Sequence, residues 1–136
     1  MSNIEQKRLS SRWLFIAAIL GFLAVLLGAF GAHGIKLLLN VDDYLKAQNW
    51  WKTAVLYHFV HTFLLLFNAQ LMRDTIHLKW LIYSARFTLW GLCIFSGSLY
   101  VMSLTGILWL GAITPIGGLF LLSGWLLLAV SVKVSK

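Results

Sequence analysis

The chain has 136 residues, of which 60% are apolar and 11% charged, with a net charge of +7. A soluble domain usually carries about 25% charged residues, so there are too few charges here to cover a water-facing surface, and lipid is the solvent that this surface fits. The basic excess lies in short loops and tails rather than on one face, which argues against nucleic acid as a partner, and the single Cys93 excludes an internal disulfide or a cysteine-based metal motif.

Four apolar stretches, at about 13–34, 53–72, 81–104 and 107–132, each approach the ~20 residues that cross a ~30 Å hydrocarbon layer as helix. The last has an alternative start at 114. Strand alternation is absent, and helices satisfy every backbone amide within the segment. The predicted fold is therefore an all-α membrane protein, a compact bundle of four transmembrane helices with a short interfacial helix between the first two.

The first stretch follows Lys7, Arg8 and Arg12, as a signal peptide would, but it is longer than the ~7–15 apolar residues of a signal core. It is read as a retained span. It ends in GAFGAHG, residues 28–34. Along it Ala17, Gly21, Ala24, Gly28 and Gly31 recur at steps of 4 and 3, a period of 3.5, which makes a seam of small residues where helix backbones approach closely. Residues 35–52 then form a linker. Asn40 is a helix cap there, with Asp42 and Asp43 in the first turn. Val41, Tyr44, Leu45 and Gln48 share one face, which predicts an amphipathic helix on the membrane surface; the alternative is an irregular loop.

The same spacing recurs in the other spans. It selects Tyr57, His61, Leu64 and Asn68 in the second, and Ser84, Thr88, Gly91, Phe95 and Ser98 in the third. In the fourth it selects Gly117, Leu121, Gly124 and Leu128. The predicted helix-packing glycines are Gly21, Gly28, Gly31, Gly91, Gly97, Gly117, Gly118 and Gly124. Pro115 either starts a helix, with Thr114 as its N-cap, or kinks a continuous one. In the first case TGILWLGAI is a hairpin dipping into the outer leaflet.

Orientation follows from charge. Lys7, Arg8, Arg12, Arg73, Lys79, Arg86, Lys133 and Lys136 fall on one side, and Lys36, Lys46 and Lys52 on the other. The positive-inside rule puts both termini in the cytoplasm. The unusual polar residues then gather at the outer level: His33, Tyr57, His61, Ser96, Ser98, Tyr100 and Thr114 form the candidate polar cluster, with His58 close by. Three imidazoles would suit a zinc or copper ion, or two of them a haem. His33, however, points about 140° away from Gly28 unless the glycine run unwinds. The alternative is hydrogen bonding between helices, with His61 on Tyr100 or Ser98. The acids Glu5, Asp42, Asp43 and Asp74 all lie outside the spans, so no hydrolase constellation is present.

GAFGAHG, AVLYHFVH, FSGSLY, LTG and LGAITPIGG with a following GW occur in that order between about Trp13 and Val132. Together they resemble the YgdD-like family of small four-span inner-membrane proteins of unknown function, with a related eukaryotic branch. The matching positions are Gly28, Gly31, His33, Gly34, Tyr57, His61, Ser96, Gly97, Ser98, Tyr100, Thr114, Pro115, Gly117 and Gly118. The resemblance implies a bacterial inner-membrane location and a four-helix fold, and no activity. The expectation is a non-enzymatic accessory, scaffold or lipid-associated membrane protein. Membrane lipids, other membrane proteins or further copies of itself would be its partners, and it would hold no cofactor. The alternatives are a histidine-centred haem or metal protein and a small oligomeric transporter.

Overall fold

A capping box opens the first helix. Ser2 Oγ accepts the Glu5 backbone N–H at 3.3 Å, and the Glu5 carboxylate accepts the Ser2 N–H at 2.8 Å. In the computed structural model, which describes residues 2–38, 41–75 and 78–134, the helices are α1 (Asn3–Leu38), α2 (Val41–Leu71), α3 (Leu78–Thr105) and α4 (Thr114–Val134), with a 3-10 turn at Leu108–Ala112. All four helical regions are long and apolar enough to cross a membrane, and no strand occurs among the described residues.

Two expectations need correction. The interfacial helix is not a separate element, because the stretch from Val41 to Lys52 is the first three turns of α2 and runs on without a break. Backbone hydrogen bonding continues through Trp50 and Trp51 because nothing in the sequence there, neither Pro nor Gly, interrupts it. The cap assigned to Asn40 lies outside the described residues. Thr114 in turn is no N-cap: its hydroxyl turns back to the Leu110 carbonyl at 3.2 Å and meets Ser98 Oγ at 2.8 Å. The Ile113 carbonyl receives the first α4 amides, those of Ile116 and Gly117. Pro115, with no N–H to leave unpaired, occupies the first turn. At the other side of this loop Gly106 ends α3 with φ 69°, and its N–H closes on the Met102 carbonyl at 2.9 Å.

The helices pack antiparallel in chain order, α1 on α2, α2 on α3 and α3 on α4. Registers are set by close approaches at small residues. Gly31 lies against the Trp51 indole, Gly91 against Leu121, Gly117 against the Phe95 backbone and Gly124 against Thr88 Oγ1. Gly21 and Gly28 leave ordinary van der Waals gaps, 3.5 Å from a would-be Cβ to Thr62 and Val55. Gly97 does not pack, since a Cβ there would meet nothing within 4 Å, and Gly118 touches only the edge of the Phe95 ring. Both sit one residue away from positions that do face a neighbour, Ser96 and Gly117.

Apolar side chains fill the space between these contacts. Trp13, Ala17, Leu65, Ala69, Met72, Leu81 and Leu128 belong to one cluster towards the end that holds the termini. Ile35, Ala47 and Trp51 form a second at the opposite end, next to a third of Ala54, Leu99 and Met102.

A Cβ on Gly117 would fall 2.8 Å from Phe95 Cα, and backbone cannot swing aside. Gly117→Ala is expected to destabilise the protein by about 1–3 kcal/mol, whereas Gly97→Ala stays within about 0.5 kcal/mol of the parent. Thermal unfolding of both variants in detergent micelles checks this.

Candidate polar site between the helices

Helical spacing puts Tyr57 and His61 one turn apart on α2, facing α3 and α4. Their rings stack with centroids 5.8 Å apart, and Tyr57 also lies 4.4 Å from the Phe95 ring of α3. His61 is 5% exposed. Its Nδ1 is 2.8 Å from the Tyr57 carbonyl, which can only accept, so Nδ1 carries the hydrogen. Its Nε2 accepts the indole N–H of Trp125 on α4 at 3.3 Å. Both ring nitrogens are therefore engaged, in one neutral tautomer. His58, 3% exposed, faces α3, where its Nδ1 pairs with the Tyr100 hydroxyl at 3.2 Å. Its Nε2 is buried without a well-formed partner, although the Leu20 carbonyl of α1 approaches the ring.

The serines of the cluster bond to the backbone of neighbouring helices or of their own. Ser96 Oγ donates to the Ala54 carbonyl of α2 at 2.9 Å. Ser98 Oγ reaches the Phe95 carbonyl at 2.9 Å as well as Thr114. Seven of the eight residues, Tyr57, His58, His61, Ser96, Ser98, Tyr100 and Thr114, thus lie on the contacts between α2, α3 and the start of α4. His33 stands apart. The glycine run does not unwind: α1 stays helical to Leu38, and the His33 side chain is exposed. Among the described residues no group of three His, Cys, Asp or Glu side chains is arranged to hold a metal ion.

The pairing expected for His61 is also different. It meets Trp125 instead of Tyr100 or Ser98, and Tyr100 takes His58. Sequence reasoning passed over Trp125 because a tryptophan in an apolar run looks like any lipid-facing aromatic. It also passed over a set of donors that reach carbonyls on the next helix. Ser10 bonds Ala69, Ser103 bonds Ala47, and the Trp51 indole bonds Leu27. Deeper in the bundle Asn68 Nδ2 donates to Ser84 Oγ at 2.8 Å, and Ser84 donates on to the Gly124 carbonyl at 2.7 Å, a relay through α2, α3 and α4. Gln6 Nε2 holds the α2–α3 turn through the Met72 and Thr75 carbonyls, both at 2.8 Å. The spacing of serines gave one available signal: Ser96 and Ser103 are seven apart on α3, as are their acceptors Ala54 and Ala47 on α2.

Four helices of membrane-crossing length, joined through buried polar groups, define an integral membrane protein. Residues 27–118 match a family described as protein of unknown function, DUF423. The UPF0382 membrane protein YwdK of Bacillus subtilis (strain 168) is 39% identical over 126 residues, which cover 88% of this chain and 94% of that protein. The UPF0382 inner membrane protein YgdD of Escherichia coli (strain K12) is 37% identical over 123 residues, 90% of each chain. The UPF0382 membrane protein SH2409 of Staphylococcus haemolyticus (strain JCSC1435) is 38% identical over 120 residues, 88% of this chain and 93% of that one. The chain belongs to this DUF423 family of membrane proteins. No solved structure matches it.

His61→Ala removes both of its hydrogen bonds and is expected to cost about 1 kcal/mol, within the range of interhelical hydrogen bonds in membranes, while His33→Ala leaves stability unchanged. Trp125→Phe should weaken the fold as well, and the double variant His61→Ala/Trp125→Phe should lose less than the two single losses combined. Equal unfolding midpoints for the two histidine variants would contradict the assignment.

Proposed function

We propose that the protein is a non-enzymatic accessory or scaffold of the bacterial inner membrane, acting through its outward-facing helix surfaces on lipids and other membrane proteins. The observation that carries this reading is where the polar atoms go. Both His61 nitrogens and the hydroxyls of Ser84, Ser96 and Ser103 bond other parts of the same chain. Groups held in this way fix helix register, and a catalytic group must have an atom free to meet substrate. For the same reason the reading includes no resident haem or transition metal. A ligating histidine needs one nitrogen for the metal, and His61 has none to give. His33, the third imidazole in such a scheme, is exposed on α1.

Both termini face the cytoplasm in this reading. Four spans return the chain to the side on which it started, and the cationic residues Lys7, Arg8, Arg12, Arg73, Lys79, Arg86 and Lys133 cluster at that end. The names of relatives support the location, since the E. coli protein is called an inner membrane protein.

Two measurements test the proposal. In a Cys93→Ala background, Thr105→Cys should react with a membrane-impermeant maleimide in intact cells and Arg73→Cys only after lysis; the reverse pattern would invert the topology. In-cell crosslinking followed by purification should recover defined membrane proteins, in a sample with no visible absorbance and no stoichiometric metal. A coloured or metal-loaded preparation would overturn the reading.

A further inference from the structure

We propose that the slot between the end of α1 and the first half of α2 seats one glycerophospholipid with an anionic headgroup, of the phosphatidylglycerol type. The proposal rests on the reading of the chain as a lipid-associated membrane protein and deepens it by naming the site and the lipid class.

The slot has a volume of about 360 Å³. The Trp51 indole packs against Gly31 at its floor, held by an N–H bond to the Leu27 carbonyl at 2.8 Å, so the floor is a fixed part of the α1–α2 contact. Gly28 and Ala32 leave the α1 wall low. On the α2 side Leu56 and Phe59 stand out, 60% and 41% exposed. A flat face of small residues would suit another helix, which is about 10 Å across. A slot walled by two projecting side chains suits a narrow flexible chain.

Polarity changes along the slot in one direction. Gln48, Lys52, Leu56 and Phe59 follow one another down one face of α2 at steps of 4, 4 and 3. The two polar residues stand at the end of the helix that faces the water boundary, and the two apolar ones lead towards the middle of the membrane. The exposed Lys52 supplies a cation at the mouth. Gln48 is one turn nearer the water, its amide held by the Tyr44 hydroxyl at 2.7 Å. An amphiphile with a negative head and an acyl tail has the same sequence of properties over the same path. A phosphate diester supplies the negative charge near Lys52, and the tail lies over Trp51, Val55 and Leu56.

The test is lipid retention by the purified full chain, read by native mass spectrometry after exchange into detergent containing either phosphatidylglycerol or phosphatidylcholine with the same acyl chains. The wild type should keep phosphatidylglycerol roughly five-fold better, the preference one lysine near a headgroup provides. Lys52→Glu should abolish the preference, and Lys46→Glu, the same charge change on α2 outside the slot, should leave it. Ala32→Phe, at an exposed position, should fill the slot and lower retention of both lipids. If that variant does not fold, Lys52→Glu against Lys46→Glu decides alone. Equal retention of the two lipids by the wild type, or equal effects of the two lysine variants, would overturn the proposal. If retention is unselective while crosslinking still recovers membrane partners, the slot assignment fails and the broader reading stands; if neither is found, both fail.

Discussion

The constraint on which this structure depends is that a polar group in hydrocarbon has no water to bond and must find its partner inside the protein. In an α-helix the backbone amides are satisfied already, but each carbonyl keeps a second lone pair. Four serine hydroxyls use these lone pairs where the acceptor residue has little or no side chain to shield its carbonyl, while the longer Trp51 and Gln6 side chains reach carbonyls of larger residues. Ser103 reaches Ala47, Ser96 reaches Ala54, Ser10 reaches Ala69 and Ser84 reaches Gly124. Small residues thus serve two purposes here, letting backbones approach and leaving carbonyls open to a neighbour's hydroxyl. Thr88 fits the pattern in a weaker form. Its Oγ1 has no conventional partner but lies against Gly124, where a Cα–H is available.

This constraint also shapes what the polar cluster is suited to. Histidines and tyrosines at one membrane level invite a catalytic or cofactor-binding reading. Each such reading needs a side-chain atom turned towards an empty space, and the strongest candidate, His61, is closed on one side by its own helix and on the other by Trp125. Its tautomer is fixed by two neighbours that cannot exchange roles, a carbonyl and an indole N–H. The site therefore works as a clasp between α2 and α4, two helices whose main contacts are otherwise made through α3.

Much of the architecture was legible in the sequence because it is periodic. Apolar runs of membrane-crossing length announced the four helices, and the steps of 3 and 4 picked out Gly31, Gly91, Gly117 and Gly124, all of which meet a neighbouring helix. Gly97, named with the packing glycines although those steps do not select it, lies one residue off the seam and faces no neighbour within 4 Å. The helix at residues 41–52 was seen, but not its continuity with α2, since amphipathic character reports a face and says nothing about where a helix stops. His33 shows a different limit. Glycines near an imidazole suggest unwinding, yet α1 keeps its helical bonds through Gly31 and Gly34, whose small side faces are filled by the Trp51 and Phe30 rings. Trp125 and Gln6 were hidden for simpler reasons: Trp125 sits in an apolar run and donates to an imidazole 64 residues away, and Gln6 donates to distant main-chain oxygens, which leave no paired residue for a pattern to reveal.

With 36 residues, α1 is about 54 Å long, well beyond a ~30 Å hydrocarbon layer. Its two ends are secured differently. At the start, Gln6 is fastened to the turn between α2 and α3, and Ser10 to Ala69. Past Gly31, the helix runs on for seven residues to Leu38. Ile35, fully buried with Ala47 and Trp51, fastens this stretch to α2 as well. A bilayer that thins or thickens therefore meets a rod held near both ends, and its excess length is taken up by tilt of α1 and α2 together.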